Sequence, residues 1–174
     1  MAEVRRHWFV PQVSREVAEA DAPVVTHRAA DGTATSSASQ PTIVAQMLDQ
    51  LDLREGQRVL EVGAGTGYNA ALLATLVGPS GEVTTIDIQP DVAAEARDAL
   101  NRTGHQRVQV VVGDGSGGLP GGGTVDRIIV TAGAWDLSLA WFEQLAVGGR
   151  LVVPLRWRGQ TQSVAFVREG LLHE

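Results

Sequence analysis

Cysteine is absent from the 174 residues of this chain. Disulfide bonds, thiolate metal sites and cysteine nucleophiles are therefore excluded. Histidine is scarce, and no two histidines stand at the short spacing of a metal-binding pair: the four are His7, His27, His105 and His173. We therefore predict that the chain has no metal site.

Long apolar runs and a strong basic charge are also missing. The N-terminal stretch lacks the apolar run of a signal peptide, and no segment is long enough to cross a membrane. We therefore expect a cytoplasmic location. The net charge of −6 and the pI near 5.2 argue against nucleic acid or an anionic membrane as partner, because both favour a basic surface.

What is present indicates one globular domain of the α/β class. From residue 57 onward, short apolar segments alternate with helical patterns. The predicted strands are 57–62, 82–87, 107–114, 125–132, 150–155 and 162–167, and the predicted helices between them are 69–77, 90–104 and 137–149. Because the strands are apolar nearly throughout, we predict a doubly wound, mostly parallel sheet with helices on both faces.

The first forty residues differ from this pattern. Residues 11–20 can form a short helix, and 27–40 reads as a loop of small and polar residues. A further helix is expected from Pro41, with a polar residue just before it as the cap. We therefore divide the chain into a helical and loop segment, 1–40, and a main domain, 41–174.

Three glycines, Gly63, Gly65 and Gly67, separate the first predicted strand of the main domain from its helix. In a doubly wound sheet, ligands bind at the carboxyl ends of the strands. Glycine there allows a tight turn and lets a ligand lie against bare backbone. The loop therefore predicts a nucleotide-type site.

The spacing of these glycines distinguishes between two cofactors. The dinucleotide fingerprint is G-x-G-x-x-G, whereas Tyr68 stands here at the position of its last glycine. Glu61, two residues before the first glycine, is typical of proteins that bind S-adenosylmethionine. A carboxylate suits the positive groups of that molecule. A nicotinamide-dependent oxidoreductase is the less favoured alternative.

Two further carboxylates follow the next two strands. Asp87 can accept hydrogen bonds from both ribose hydroxyls, and Asp114 can accept one from the adenine amine. Glycines on either side of Asp114 leave room for the flat base. The predicted S-adenosylmethionine site is Glu61, Gly63, Ala64, Gly65, Thr66, Gly67, Asp87, Ile88, Gly113, Asp114 and Gly115. The alternative is that these are turn residues of an unrelated α/β domain.

The sequence resembles the protein-L-isoaspartate O-methyltransferases, which are class I S-adenosylmethionine-dependent methyltransferases with a Rossmann-like fold. The similar runs extend over most of the chain: VRRHWFVP, SQPTIVAQML, RVLEVGAGTGYNAALLA, VVVGDGSGGLP, DRIIVTAGA and LAVGGRLVVPL. The combination of SQP before a helix with GTGYNAALLA is more specific than the glycine loop alone.

The resemblance implies a reaction and a substrate site. Members of the family methylate the carboxylate of an isoaspartyl residue in a protein or peptide, and the ester closes to a succinimide. Ser39 matches the catalytic serine, and Ser37, Gln40, Thr131 and Ala132 match the substrate side. A carboxylate is already ionised at pH 7, so the serine need only orient it. Without the resemblance, Ser39 would be interpreted as a helix N-cap.

Two departures from the family leave alternatives open. Residues 24–41 are longer than usual and resemble a branch that tailors ribosomal peptides, the lanthipeptides and graspetides, by converting aspartate to isoaspartate. Family members continue beyond residue 174, so the C-terminus is either natural or truncated. A non-catalytic module that binds S-adenosylmethionine is the third alternative. We expect 1–40 to lie on the substrate side of a monomer.

The aromatic residues have both structural and functional interpretations. We expect Trp141 and Phe142 to pack the last helix against the sheet, and Trp8 and Phe9 to pin the N-terminal segment over the core. Trp135 follows the substrate-side run TAGA and is the aromatic residue most suited to touch a ligand.

Overall fold

The computed structural model describes residues 3–134 and 136–170. Within these ranges the strands are Val24–Arg28 (β1), Ala34–Ala38 (β2), Arg58–Val62 (β3), Glu82–Asp87 (β4), Gln109–Val112 (β5), Val125–Val130 (β6), Leu145–Trp157 (β7) and Gln160–Val167 (β8). The helices are Arg15–Glu19 (α1), Pro41–Leu51 (α2), Tyr68–Val77 (α3), Pro90–Arg102 (α4) and Leu139–Gln144 (α5). The predicted α/β class is confirmed.

The main sheet has the strand order β5-β4-β3-β6-β7-β8. All neighbouring strands are parallel except β7 and β8, which are antiparallel. Helices α2, α3 and α4 supply the larger core on one face, and α5 packs on the other face. Because β3 and β6 are central and parallel, their carboxyl ends meet the end of β4 at one rim of the sheet.

Helix α2 begins differently from the prediction. Gln40 is its N-cap residue but makes no side-chain cap bond. Instead, Asp21 accepts hydrogen bonds from the Thr42 amide at 2.8 Å and from the Thr42 hydroxyl at 2.7 Å. The cap is therefore supplied by a residue 21 positions before Thr42, and the expectation of a local cap was wrong.

The predicted loop at 27–40 is also wrong, because β1 and β2 form an antiparallel hairpin there. Val24 and Ala38 are buried beside Val10 and Ala18 in a small core of their own. That burial favours extended pairing over a loose connection. The hairpin ends at Ala38, so it delivers Ser39 directly to the start of α2.

The last predicted helix is shorter than expected. Helix α5 covers only Leu139–Gln144, and β7 begins at Leu145. Leu145 is fully buried, and Gly148 has a φ of 77°, a left-handed conformation that stops a helix. Residues 145–149 therefore belong to the strand, and the prediction of helix to residue 149 was wrong.

The aromatic predictions are mostly confirmed. Trp141 is buried, and Phe142 meets Phe166 edge to face with ring centroids 6.1 Å apart. Phe9 is buried against Tyr68, with ring centroids 5.6 Å apart. Trp8, in contrast, is 44% exposed, so it does not pin the segment. Trp135 lies outside the described residues.

Two absences apply to the described part of the chain. No helix there is long and apolar enough to span a membrane. No group of three or more histidine, aspartate or glutamate side chains in those ranges could hold a metal ion.

Candidate functional site

A cavity of about 540 Å³ opens at the carboxyl rim of β3, β4 and β6, with β2 along one side. Thirteen of the predicted site residues line it: Ser37, Ser39, Glu61, Gly63, Ala64, Gly65, Thr66, Asp87, Ile88, Asp114, Gly115, Thr131 and Ala132. The candidate cofactor residues and the candidate substrate residues therefore share one space.

Three predicted residues do not line this cavity. Gly67 turns towards α4, where a Cβ atom would lie 3.1 Å from the Ala96 carbonyl oxygen. Gln40 donates its side-chain amide to Asp21 at 3.0 Å. Gly113 donates its backbone N–H to the Asp87 carbonyl at 2.9 Å.

Protein packing explains the glycine at position 63. A Cβ atom there would lie 2.8 Å from the Thr131 hydroxyl, and the φ of Gly63 is 102°. Thr131 donates that hydroxyl to the Gly63 carbonyl at 2.6 Å. The bare backbone at position 63 was predicted to accommodate a ligand, whereas the Thr131 side chain makes the close approach there. Gly65 is different, since its nearest neighbour would be the Ser37 carbonyl at 3.6 Å.

Asp87 ties the glycine loop to the end of β4. One carboxylate oxygen accepts from the Gly65 amide at 3.1 Å, and the other accepts from the Gln89 amide at 3.0 Å. The side chain is 9% exposed and faces the cavity. Because each carboxylate oxygen can accept more than one hydrogen bond, Asp87 keeps acceptor capacity for hydroxyl groups of a ligand.

Glu61 is the most buried acid of the site. Burial, with a smaller effect from Asp87, raises the pKa of its carboxyl group from 4.5 to about 7. Asn69 donates to its Oε1 at 2.8 Å. Glu61 Oε2 and Asn69 Oδ1, which belong to residues that line the cavity, have no hydrogen-bond partner among the described residues. Unpartnered acceptors on a cavity wall suit a cationic ligand group.

Asn69 also lines the cavity but was not among the predicted site residues, although it lies within the run GTGYNAALLA. Its position on the first turn of α3 places the amide beside Glu61, eight residues earlier. The eight-residue spacing between Glu61 at the end of β3 and Asn69 on the first turn of α3 could therefore have predicted this contact.

The other end of the cavity combines a carboxylate with an apolar surface. Asp114 accepts from the Ser116 amide at 2.9 Å, which lowers the pKa of its carboxyl group. Ile88 is 66% exposed and lies on the cavity rim. Trp141 supports this end by donating its indole N–H to the Gly115 carbonyl at 2.8 Å. A flat base with an exocyclic amine fits these groups.

Ser39 lies between the hairpin and α2. It is half-buried, and its hydroxyl makes no hydrogen bond within the described ranges of the chain. Helix α2 has Gln40 as its N-cap residue, so Ser39 does not cap it. The hydroxyl therefore stands on the cavity wall able to donate to a ligand.

Comparison with known proteins agrees with this geometry. The model of the protein-L-isoaspartate(D-aspartate) O-methyltransferase family matches residues 1–170. The chain belongs to this family. Its class I methyltransferase fold is shared with solved members of the family, so the resemblance noted from the sequence is confirmed.

Relatives in the protein-L-isoaspartate O-methyltransferase family are longer than this chain. One from Methanopyrus kandleri is 46% identical over 156 residues, covering 89% of this chain and 66% of the relative. Another, from Archaeoglobus fulgidus, is 40% identical and covers 96% and 73%. The chain thus spans about two thirds of the length of these relatives.

Solved structures show the same relation. A structure named protein-L-isoaspartate O-methyltransferase superimposes with a TM-score of 0.85 at 30% identity, covering 95% of this chain and 52% of that one. A Plasmodium falciparum structure, described as a putative member in complex with S-adenosyl-L-homocysteine, gives a TM-score of 0.78 at 19% identity. The second likeness concerns the fold alone.

Proposed function

We propose that this chain is an S-adenosylmethionine-dependent O-methyltransferase that acts on the carboxylate of isoaspartyl residues in proteins or peptides. The observation that carries the proposal is the single cavity that joins the glycine loop and Glu61 to the unpartnered hydroxyl of Ser39. Membership of the family supports it.

Residues of the chain would hold the two ends of the cofactor. Glu61 would receive the positively charged amino-acid end, Asp87 the ribose hydroxyls, and Asp114 with Ile88 the adenine. When bound, S-adenosylmethionine supplies an electrophilic methyl group on a sulfonium leaving group. The acceptors left open at Glu61 and Asp87 fit this molecule better than a pyrophosphate, which would be repelled by them.

Ser39 would orient the substrate. An isoaspartyl carboxylate is ionised at neutral pH and needs no general base before it attacks a methyl group. The Ser39 hydroxyl can donate a hydrogen bond to one carboxylate oxygen and leave the other free to react. Holding the reacting groups together and away from water is then the main work of the site. The products are the methyl ester and S-adenosylhomocysteine.

We propose further that residues 1–40 form the substrate side and 41–174 the cofactor domain of a monomer. The β1–β2 hairpin supports this division, because its second strand lines the cavity beside the glycine loop. Val4 and Phe9 pack into the core of the main domain, so the two parts are held together.

Methyl transfer to matched peptides tests the proposal. The purified chain is incubated with methyl-labelled S-adenosylmethionine and three peptides: one with isoaspartate, its aspartate twin, and a cyclised precursor containing aspartate. We expect labelled ester on the isoaspartyl peptide alone. Ester on an aspartyl peptide instead would indicate a tailoring enzyme. Cofactor binding without any ester would indicate a binding module.

A further inference from the structure

Arg6 is a charged side chain in an unexpected place. It is 2% exposed, and its guanidinium donates to five backbone carbonyls, those of Ala18, Ala20, Ala22, Ala38 and Ser39. Within the described ranges, no carboxylate forms an ion pair with it. Burial lowers the pKa of Arg6, and the nearby Tyr68, Glu19 and Asp21 oppose that shift.

These five carbonyls belong to two segments that are separate in sequence. Three lie at 18–22, where α1 ends, and two lie at 38–39, between the end of the hairpin and the start of α2. The bonds to the second segment are 3.2 Å to Ala38 and 3.1 Å to Ser39. A buried guanidinium is therefore the shared hydrogen-bond donor that ties the backbone of Ser39 to the end of α1.

Asp21 makes the complementary link. In sequence it lies between Ala20 and Ala22, whose carbonyls Arg6 contacts. Its carboxylate accepts hydrogen bonds from the side chain of Gln40 and from the amide and hydroxyl of Thr42, which follow Ser39. These hydrogen bonds lower the pKa of Asp21, so it stays ionised at neutral pH. The Ser39 carbonyl is thus bound by a cation, and the first turn of α2 that follows Ser39 is bound by an anion.

We propose that Arg6 is a positioning residue that, with Asp21, fixes the direction of the Ser39 hydroxyl in the cavity. This inference rests on the proposed role of Ser39. Burying an arginine without a carboxylate partner is costly, and the carbonyl dipoles offset that cost only while both segments keep this arrangement. A small shift of the backbone at Ser39 would move its hydroxyl away from a bound carboxylate.

Arg6→Lys tests the proposal, because lysine keeps the charge but cannot reach both segments with one planar fork. Arg127→Lys is the matched control. Arg127 is also buried and donates to the carbonyls of Leu51 and Asp52, at the far end of α2. We expect Arg6→Lys to lower kcat/KM for the isoaspartyl peptide by roughly tenfold or more. The Kd of Arg6→Lys for S-adenosylhomocysteine should be unchanged. In Arg127→Lys, both kcat/KM and this Kd should stay as in the wild type.

A double-mutant cycle separates positioning from a merely structural role. If Arg6 acts through Ser39, Arg6→Lys should cost almost nothing further in kcat/KM when Ser39 is already alanine. An equal loss in both backgrounds would overturn the proposal. A second readout does not need catalysis: amide hydrogen exchange at 37–40 should rise in Arg6→Lys and stay unchanged in Arg127→Lys.

If Arg6→Lys does not fold, Asp21→Asn carries the test, because Asp21 is exposed at the surface and its loss leaves the core intact. Asp21→Asn should show the same two changes as Arg6→Lys, but smaller: faster amide hydrogen exchange at 37–40 and a lower kcat/KM. Unchanged exchange in a folded variant would contradict the proposal. If the variants show faster exchange at 37–40 while the wild-type chain forms no ester, only the function proposed for the site is contradicted.

Discussion

Glu61 is the residue whose ionisation the fold controls most clearly. Its pKa of about 7 in the folded chain lies above its ordinary 4.5, because the carboxyl group is fully buried. Between these two pH values the folded chain keeps a proton that the unfolded chain has lost. This contribution to stability is therefore complete below pH 4.5 and disappears as the pH rises through 7, a loss of about 3 kcal/mol.

Glu61→Gln should remove this pH dependence, since glutamine resembles the protonated form at every pH. We expect the difference in unfolding free energy between the variant and the wild type to grow in favour of the variant from pH 4.5 to 7. Denaturant unfolding at several pH values measures it. Glu169→Gln, at an exposed glutamate, is the control. A constant difference across this range would contradict the burial argument.

Ser39→Ala tests the substrate end of the site. Loss of a hydrogen bond to the reacting carboxylate should lower kcat for the isoaspartyl peptide by on the order of tenfold to a hundredfold. Cofactor affinity, measured by calorimetry, should not change, because the cofactor contacts proposed above are those of Glu61, Asp87 and Asp114 and not of Ser39. Ser80→Ala, on the exposed loop after α3, should behave as wild type. Equal kcat in Ser39→Ala would remove the serine from the mechanism.

Most of the residues that line the candidate site could be predicted to lie together, because their signal is local. Glu61, Asp87 and Asp114 each follow or end an apolar strand, so the strand pattern alone places them at one rim. Arg6 and the capping role of Asp21 could not be predicted in this way. Their partners lie between 12 and 33 residues away for Arg6, and no short-range pattern encodes such contacts.

At the scale of elements, α5 determines the position of the loop after β5. Trp141 fills the core on its face of the sheet and holds the Gly115 carbonyl with its indole N–H. Gly115 itself cannot accept a side chain, because a Cβ atom would lie 2.5 Å from Val62. The loop that carries Asp114 is therefore fixed from two sides.

Trp141→Phe should keep most of the packing and lose the hydrogen bond. We expect a stability loss of about 1–3 kcal/mol, because a buried carbonyl is left without its donor. The Kd for S-adenosylhomocysteine should rise several-fold as the loop loosens, while Trp8→Phe, at an exposed tryptophan, should change neither. Thermal unfolding and calorimetry measure the two effects. An unchanged Kd would show that the loop does not depend on α5.

The elements that were predicted incorrectly share one physical cause. The β1–β2 hairpin has weak strand propensity in ATSSA, and its burial against Val10 and Ala18 comes from distant residues. Residues 145–149 continue an apolar pattern that suits a helix or a strand equally, and the backbone hydrogen bonds of Gly148 and Gly149 with Arg168 decide between them. Tertiary contacts settled both cases, and local sequence could not.

At the scale of the whole molecule, the parallel sheet brings four separate loops to one rim. The order β5-β4-β3-β6 places the segments after these strands side by side. This architecture could be predicted, because alternating apolar strands and helical patterns have few alternative arrangements. In the described chain β8 pairs only with β7, so it forms an edge of the sheet.

A ligand that binds only this folded rim should stabilise the whole chain. At a concentration one hundred times its Kd, S-adenosylhomocysteine should add about 2.7 kcal/mol to the unfolding free energy. For a domain of this size that corresponds to a rise in Tm of roughly 5–10 °C. Thermal unfolding with and without the compound measures the shift, and NAD serves as the control. Stabilisation by NAD alone would favour a dinucleotide site.

The most direct measurement is electron density for S-adenosylhomocysteine in crystals of the chain. We expect the adenine to lie beside Asp114 and Ile88, the ribose to contact Asp87, and the sulfur to face the side of the cavity that carries Ser39. Density elsewhere on the molecule, or a sulfur directed away from Ser39, would contradict it.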